Sequence, residues 1–368
     1  MKILNLEIFK FRNYEYLNFQ PDMNLNLLLG ENAMGKTNFL EGIYMLTCGK
    51  SFRSSRDRDF IKLGSSKSTL KSRILNFEYE DELEVEIDLQ GSNKFKINKK
   101  QESIKEYRKN LGSVIFSPAD INMVKQSPND RRRYLDDLIS MISPGYEYNL
   151  SAYKKIVFQR NKFLKGNLKK EHCKDLLEVY NFQLANYGLK ILKERLKIVR
   201  IFEKFCKHHF KILSGGDDFK ITYLSTIAFN MEEDIEKTFK ESLDRAMTTD
   251  LEKRMTTIGP HRDDLDFKIN GFSAKNYASQ GEIRTVMLSL KLSEIDLIKK
   301  YKKNNPILLL DDVFSELDSN RIGYLMNNIS DTQTFITSTS YDLSMEGLKG
   351  SIYKVEKGKI FNIDRRMQ

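Results

Sequence analysis

The sequence predicts an α/β fold whose two halves are separated by an inserted helical segment. Residues 1–120 alternate apolar and polar side chains in short runs, a pattern typical of strands. Residues 121–255 are mainly helical, and their longest uninterrupted helical pattern runs from Leu176 to Phe210 without a proline. Residues 256–368 return to short strands around one long helical stretch, Ile283–Lys300. We therefore expect the first and last segments to assemble one α/β lobe and the middle segment to form a helical arm.

A glycine-rich segment joins a predicted strand, Leu25–Leu29, to a predicted helix, Asn38–Leu46. It carries two glycines, a lysine and a hydroxyl residue at the spacing of a P-loop. In such a loop backbone N–H groups face phosphate oxygens, Lys36 reaches the terminal phosphates and Thr37 ligates Mg²⁺. The sequence therefore predicts a P-loop NTPase whose ATP site is formed by Gly30, Glu31, Asn32, Ala33, Met34, Gly35, Lys36 and Thr37.

A second element of a nucleotide site lies far downstream, where the apolar run Ile307–Leu310 is followed by two carboxylates. An apolar strand that ends in acidic residues is typical of a Walker B strand. We expect Asp311 to hold Mg²⁺ and Asp312 to orient or deprotonate the attacking water. Asp312 and Lys36 are therefore the predicted catalytic residues.

A second anion site is indicated at the start of the predicted helix after Ser279. A serine hydroxyl and the free N–H groups of a helix start favour an anion, and the sequence has no second P-loop for this site to serve. We therefore predict nucleotide contacts from Ser279, Gln280 and Gly281. The alternative is an ordinary capping box between Ser279 and Glu282.

The order of these motifs resembles that of the ABC ATPase family, because Ser315–Asp318 supplies a D-loop directly after the Walker B strand. Several stretches resemble, more specifically, the RecF family of bacterial recombination proteins. The resemblance spans nearly the whole chain and is carried by Phe11–Tyr14, Lys50–Asp57, Phe116–Pro118, Arg131–Asp136, Gly259–Leu265 and Leu309–Asp318.

This resemblance implies an ABC-ATPase head like those of chromosome-maintenance ATPases, assembled from both ends of the chain around the inserted arm. It further implies ATP-dependent homodimers in which Ser279 reaches the phosphate held by Lys36 of the other subunit. Slow, DNA-stimulated ATP hydrolysis would then act as a switch. The implied partners are RecO and RecR, which promote RecA loading at gapped DNA in replication, repair and the SOS response.

Some positions depart from the broader ABC pattern. Gln280 replaces a signature glycine, Glu282 stands where glutamine is usual, and Asp312 replaces a glutamate, which favours a switch over a motor. The ABC glutamine loop should follow Val114–Phe116, yet Ser117–Asp120 stands there and the nearest glutamine, Gln126, lies beyond. The switch histidine should follow Thr334–Ile336, but Thr337–Ser340 holds only hydroxyl residues, one of which could replace it.

The net charge of +10 favours a polyanionic partner. From Ser151 to Lys211 there are 16 Lys and Arg against 5 Asp and Glu, an excess that accounts for the whole imbalance. With no base-reading motif in the sequence, we expect backbone contact with duplex DNA or a single-strand/double-strand junction, independent of sequence. The residues predicted to contact DNA are Arg53, Arg56, Arg131, Arg132, Arg133, Lys154 and Lys155.

The sequence has no apolar run of the roughly 18 residues that span a membrane. It also has no signal-peptide pattern, and its three cysteines form no paired spacing, so we expect a cytoplasmic protein. One alternative is a metal site; the residues that could form it, on helical stretches where packing also explains them, are His172, Cys173, Cys206, His208 and His209.

Two other functions use the same motifs. The nucleotide-binding subunit of a membrane transporter is disfavoured because 242 positions separate Thr37 from Ser279, far more than a modest insertion. A chromosome-compacting ATPase would need heptads sustained over hundreds of residues, which an arm of about 130 residues is too short to supply.

Overall fold

The computed structural model describes residues 1–53, 56–121, 123–166, 173–228, 235–341 and 350–363. The chain divides into two compact units. The α/β unit comprises Met1–Asn122, Ile212–Gly216 and Gln280–Gln368, and the helical unit comprises Met123–Lys211 and Asp217–Ser279.

A mostly parallel sheet forms the centre of the α/β unit. Its strands, in chain order, are β3 (Leu25–Leu29), β8 (Ser113–Phe116), β12 (Ile307–Asp311), β13 (Thr334–Ser338), β14 (Gly350–Glu356) and β15 (Lys359–Asn362). They lie in the order β15-β14-β3-β13-β12-β8, and only β15 runs antiparallel to its neighbour. Every residue of β12 and β13 is buried, which explains why β12 is an apolar run rather than an alternating one.

A second, antiparallel sheet lies in the same unit. Its strands are β1 (Lys2–Phe11), β2 (Tyr14–Phe19), β4 (Lys67–Asn76), β5 (Tyr79–Asp88), β6 (Lys94–Ile97) and β7 (Lys100–Glu102), in the order β2-β1-β4-β5-β6-β7. β4 alternates buried and less buried residues, as expected of a sheet with one face on the core. On the other face Lys96 forms ion pairs with Glu84 and Glu86.

The helices of the α/β unit cover these sheets. They are α1 (Lys36–Cys48), α2 (Ile104–Arg108), α3 (Pro118–Ile121), α9 (Gln280–Lys302) and α10 (Ser319–Asn328). Helix α1 contacts strands of both sheets, and it is correspondingly buried on nearly every side from Phe39 to Cys48. The strand and helix predicted on either side of the glycine-rich loop are therefore present as β3 and α1.

The helical unit contains the longest helix of the described chain and a small sheet. Its helices are α4 (Pro128–Ile142), α5 (Pro144–Lys165), α6 (Cys173–Ser214), α7 (Ile235–Lys253) and α8 (Ala274–Tyr277); the last three residues of α6 are counted with the α/β unit. Its strands are β9 (Phe219–Leu224), β10 (Asp264–Ile269) and β11 (Phe272–Ser273), in the order β11-β10-β9.

The helical unit extends beyond the predicted arm of residues 121–255. The structure assigns it Asp217–Ser279, so residues 256–279 do not belong to the α/β unit as predicted. The reason is that β10, the first strand after the arm, pairs with β9 rather than with the parallel sheet. Arg131 at the start of α4 also forms an ion pair with Asp264 of β10, with 2.6 Å between Nη2 and Oδ2.

Buried charges connect the helical unit internally. The guanidinium of Arg195 donates to Asp136 at 2.6 Å, to the hydroxyl of Tyr146 at 2.8 Å and to the carbonyl of Pro260 at 2.7 Å. Arg160 and Asp250, both fully buried, form a second pair at 2.7 Å. Because a buried charge is costly unless it is paired, loss of one partner would destabilise this unit by several kcal/mol, about 3–5.

His261 occupies a buried position in the same unit. Its Nε2 lies 3.2 Å from the carbonyl of Thr256, so Nε2 carries the proton and Nδ1 accepts from the hydroxyl of Tyr153 at 2.8 Å. The neutral ring therefore has both of its hydrogen bonds. Burial lowers the pKa of His261 from 6.5 to about 4.

We predict that this histidine makes the free energy of unfolding depend on pH. Between about pH 4 and 6.5 the unfolded chain binds a proton that the folded chain does not. Stability should therefore be full above pH 6.5 and fall towards pH 4, by on the order of 2–3 kcal/mol. Chemical denaturation at several pH values would measure this, with His261→Gln as the non-titrating control. The same pH dependence in both proteins would contradict the assignment.

Candidate nucleotide-binding site

Two glycines fix the shape of the loop between β3 and α1. Gly35, at the N-cap of α1, has a φ of +110°, and an added Cβ would lie 2.5 Å from Nδ2 of Asn13. A Cβ on Gly30 would lie 2.5 Å from the backbone oxygen of Val355 in β14. The first position is strained for any L side chain, and the second has no room for one.

Backbone and tyrosine contacts hold the loop in place. The hydroxyl of Tyr14 donates to the carbonyl of Gly35 at 3.0 Å. The N–H of Gly358, in the β14–β15 turn, donates to the carbonyl of Met34 at 3.2 Å. The exposed residues of the loop are Glu31, Asn32 and Ala33. The ends of the loop are therefore held by hydrogen bonds, while its middle residues face solvent. The loop leads into a helix whose free N–H groups favour an anion.

The ammonium of Lys36 lies within this loop. Its Nζ donates to the carbonyls of Gly30 at 2.5 Å and Glu31 at 2.9 Å, and the side chain is buried. Burial lowers the pKa of Lys36, while the nearby carboxylates of Asp312 and Asp311 oppose that shift. The loop therefore holds a cation where a bound phosphate would meet it.

The carboxylate of Asp311 joins the loop to the central sheet. Its Oδ1 accepts from Oγ1 of Thr37 at 2.9 Å and from Oγ1 of Thr337 at 2.8 Å. The structure thus brings together two residues predicted to bind Mg²⁺, Thr37 and Asp311. Hydroxyl and carboxylate oxygens are the ligands that this hard cation prefers, so the residues present fit the ion.

Asp312 follows directly and has an unusual backbone. Its φ is +53°, in the left-handed region, and its N–H donates to the backbone oxygen of Thr337 at 3.2 Å and to Oγ1 at 3.0 Å. Burial raises the pKa of the Asp312 carboxyl, Lys36 opposes that shift, and Asp311 and Glu316 add to it. A non-glycine residue held in this region suggests function, because the neighbouring structure must impose it.

Thr337 stands where the sequence pattern called for a switch histidine. Its hydroxyl contacts both acidic residues, because it accepts from the N–H of Asp312 and donates to the carboxylate of Asp311. The only signal for it in the sequence was the hydroxyl run after β13.

The signature residues lie at the start of a 23-residue helix. Ser279 and Gln280 are exposed, Gly281 is half-buried, and α9 begins at Gln280. The nucleotide contact predicted for Ser279, Gln280 and Gly281 stays a prediction; what the structure shows is an exposed serine directly in front of a long helix.

The segment after β8 holds no glutamine side chain that could serve as an ABC glutamine loop. Instead Asp120 accepts from the N–H of Ser117 at 2.7 Å and from its hydroxyl at 2.8 Å. Asp120 also pairs with Lys291 of α9, with 3.2 Å between Oδ1 and Nζ. Gln126 belongs to the helical unit, where its backbone oxygen accepts from Arg131.

The residues predicted to contact DNA fall into two groups. Arg131, which was predicted to contact DNA, is only 2% exposed and is bound to Asp264 by two hydrogen bonds, so its charge is used inside the helical unit rather than presented at the surface. Arg132 is half-buried and donates to the carbonyl of Asp263 at 2.7 Å, which leaves it partly engaged. The exposed members of the set are Arg53, Arg56, Arg133, Lys154 and Lys155.

Arg53 and the neighbouring Arg12 converge on the P-loop helix. Arg12 forms a double hydrogen bond with the fully buried carboxylate of Glu41, at 2.7 and 2.8 Å. Arg53 donates to Oδ1 of Asn38 at 3.0 Å and stays half exposed. The Arg12–Glu41 pair was not expected from the sequence, because nothing local links residues in different elements.

A cavity of about 670 Å³ opens beside the loop. It is bordered by Gly30, Glu31 and Met34 of the loop and by residues of β14, and its size lies within the range of small-molecule sites. Within the described residues, no group of three or more His, Cys, Asp or Glu side chains could hold a metal ion. Of the five residues of the alternative metal site, His172 lies outside the described part of the chain and the side chain of Cys173 is not described.

The fold and these motifs define the class of protein. A family model described as the RecF/RecN/SMC N terminal domain matches residues 2–360, so the chain belongs to this family of ABC-type ATPase heads. The predicted fold class is thereby confirmed. An Smc head bound to the C-winged helix domain of ScpA shares the fold, with a TM-score of 0.57 at 16% identity over 100% of this chain and 99% of the other.

Within this class the chain is a member of the RecF family. It is 38% identical to the DNA replication and repair protein RecF of Clostridium tetani, over 98% of this chain and 99% of that protein. It is 37% identical to RecF of Bacillus subtilis, over 98% and 100%. A solved structure of the recombination mediator protein RecF-ATPrS in the RecFOR pathway superposes with a TM-score of 0.91, at 33% identity over 98% of each chain. This membership decides against the transporter alternative. Among the described helices, none is both long and apolar enough to cross a bilayer.

We predict that Lys36→Met nearly abolishes ATP binding or hydrolysis while the protein remains folded. The substitution removes a charge-assisted contact of the kind that contributes about 1.5–3 kcal/mol, or roughly ten- to a hundredfold in affinity. Equilibrium binding of a fluorescent ATP analogue would measure the change. Lys94→Met, at an exposed position on β6 of the antiparallel sheet, is the matched control. Wild-type affinity in a folded Lys36→Met protein would contradict the role of the loop.

Proposed function

We propose that this chain binds ATP with Mg²⁺ at the P-loop, hydrolyses it slowly, and uses the cycle as a switch in DNA replication and repair. The observation that carries the proposal is the convergence of Lys36, Thr37, Asp311 and Asp312 around one loop. Related solved structures, described as RecF with ATP or an ATP analogue in the RecFOR pathway, support it.

Each residue has a defined role in this reaction. Lys36 neutralises charge on the terminal phosphate, and Thr37 and Asp311 would hold the metal. Mg²⁺, when bound, withdraws charge from the phosphate oxygens. Asp312 accepts a hydrogen bond from the attacking water, whose oxygen bonds to the γ-phosphorus as the bond to the bridging oxygen breaks. The water proton passes to the Asp312 carboxylate, and ADP leaves with the electron pair.

We predict that Asp312→Asn keeps ATP binding but slows hydrolysis at least tenfold, because an amide accepts no proton from water. An ATP-bound dimer should then accumulate, which sedimentation with ATP would detect. Asp296→Asn, on the middle of α9, is a matched carboxylate control. Hydrolysis at the parent rate in Asp312→Asn would move the catalytic role to another residue.

The active form in this proposal is an ATP-dependent homodimer. Ser279, Gln280 and Gly281 contact the ATP bound to Lys36 of the second subunit, by a two-fold symmetric interface. The exposure of Ser279 in front of a long helix supports this arrangement. Closure of the dimer then buries two nucleotides at once, which makes assembly depend on ATP.

DNA is the proposed partner of the closed dimer, and we propose that it stimulates the slow ATPase. Exposed cations on α4 and α5, such as Arg133 and Lys155, offer contacts to backbone phosphates. Such contacts are independent of base sequence and weaken with salt. Duplex DNA or a single-strand/double-strand junction is the expected substrate.

The names of the relatives support a role for these activities in DNA replication and repair. They are named DNA replication and repair proteins, and a related structure is described within the RecFOR pathway. We propose that the dimer acts in the cytoplasm with RecR and RecO to promote RecA loading at gaps, and so contributes to recombination and the SOS response.

We predict that Ser279→Arg leaves ATP binding by the monomer intact but prevents ATP-driven dimerisation and the tighter DNA binding that follows. The added side chain would fill the space of the partner's phosphate, and its positive charge would oppose the helix dipole. Two basic surfaces in one dimer also neutralise more phosphates than one, so the salt dependence of DNA binding should be steeper with ATP.

The measurement is a salt titration of DNA binding with and without ATP, alongside sedimentation. Ser66→Arg, at an exposed position directly before β4, controls for the added charge. If Ser279→Arg still dimerises, or if the parent binds DNA equally well as a monomer, the dimer proposal is wrong.

A further inference from the structure

Two arginines connect the first turn of α9 with the acidic segment that follows β12. That segment comprises a 3-10 turn, Val313–Glu316, and the start of α10 at Ser319. One arginine, Arg284, lies on α9 and reaches forward to the segment; the other, Arg321, lies on α10 and reaches back to α9. Both bridges lie inside the α/β unit.

Arg321 makes the more extensive bridge. Its Nη2 donates to the carbonyl of Gly281 at 3.2 Å and to the hydroxyl of Thr285 at 2.7 Å, and Nε donates to the same hydroxyl at 3.1 Å. Its Nη1 pairs with the carboxylate of Asp318, and Asp318 also accepts from the N–H of Arg321 at 3.0 Å. One planar guanidinium thus contacts a signature carbonyl, a buried hydroxyl and the N-cap of α10.

The Arg284 bridge differs in kind. Arg284 pairs with Glu316 at 2.8 Å, but both side chains are about one-third exposed, so water weakens the attraction. By contrast, Thr285 is only 2% exposed and Arg321 is mostly covered. The planar guanidinium of Arg321, here called the fork, therefore holds its several hydrogen bonds in a fixed geometry that a lysine would lack.

We propose that Arg321 is a positioning residue that locks the signature turn of α9 to the segment directly after the catalytic carboxylate of the same chain. The inference rests on the proposed function, in which Ser279–Gly281 contact the ATP of the partner. Under that arrangement, Arg321 links the groups that sense the partner's nucleotide to the chain that carries Asp312.

The consequence is coupling between the two nucleotide sites. A shift of the signature turn on closure pulls on Gly281 and Thr285, and Arg321 transmits it to Asp318 and the preceding 3-10 turn. Each site then depends on the occupancy of the other, so hydrolysis should be cooperative in ATP. Loss of the fork uncouples the sites without removing any group that touches nucleotide.

The test uses Arg321→Lys and Thr285→Val in the full chain. The lysine keeps the charge beside Asp318 but loses the fork, and the valine keeps the shape of Thr285 but loses its hydroxyl. Arg284→Lys is the matched comparison, since it alters the exposed bridge between the same two segments. The first readout is amide hydrogen exchange over residues 280–288 without nucleotide, with the melting temperature measured in parallel.

We expect exchange in this turn to be about tenfold faster in Arg321→Lys and in Thr285→Val, with exchange in β12 unchanged. The double variant should be no faster than either single variant, because both remove the same contact. Arg284→Lys should change exchange by less than twofold. Equal exchange in the parent and Arg321→Lys would overturn the positioning role.

The second readout is steady-state hydrolysis. We expect Arg321→Lys to lower kcat about tenfold and to reduce the Hill coefficient for ATP towards one, while ATP affinity of the monomer changes less than twofold. A parent protein that does not dimerise with ATP would sink the proposed function, and hydrogen exchange would still decide the role of Arg321. A parent that dimerises alongside an Arg321→Lys protein with unchanged kcat and Hill coefficient would overturn the coupling alone.

Discussion

The carboxylate of Asp311 is the point at which three distant parts of the chain meet. It accepts hydroxyls from Thr37 at the start of α1 and from Thr337 at the end of β13, and it terminates β12 itself. Strands β12 and β13 are parallel neighbours, and α1 follows the parallel strand β3. The carboxyl ends of these strands and the amino end of α1 therefore lie at one edge of the sheet. The same contact sets the backbone of Asp312 against Thr337. The residues predicted to serve phosphate, metal and water are thereby brought to one edge, which is where ligands generally bind in open α/β sheets.

The helical unit depends instead on buried arginines that form ion pairs with carboxylates. Arg131, Arg160 and Arg195 are all buried and paired with carboxylates, so they contribute to the net charge of the sequence without presenting it to a partner. The buried carboxylate of Asp263 is likewise paired within the fold, because it accepts from the hydroxyl of Tyr223 and the N–H of Thr226. A count of basic residues therefore overstates the surface that a polyanion meets, and the exposed cations are the relevant ones.

Local patterns in the sequence were sufficient to predict β3, α1, β12 and α9, because a strand or helix is encoded by the period of its own side chains. The glycine and lysine spacing predicted the loop for the same reason. Two predictions differ from what the structure shows, and in both the answer depends on distant residues. The boundary at 255 assumed that returning strands rejoin the main sheet, yet β10 pairs with β9. The DNA role given to Arg131 ignored Asp264, which lies 133 positions away in the sequence. The Asp120–Lys291 pair was unpredictable for the same physical reason.

The position of β3 in the sheet has a consequence for synthesis of the protein. Both hydrogen-bonded neighbours of β3, the strands β13 and β14, come from the last part of the chain, through Lys354. At translation rates of roughly 5–20 residues per second, the strand that begins the P-loop waits on the order of 15–60 s for them. During that interval Leu25, Leu27 and Leu28, buried in the finished fold, have no sheet to enter. The segment that begins the P-loop is therefore among the first parts to emerge from the ribosome and among the last to complete its sheet, so its apolar side chains stay uncovered while most of the chain is made.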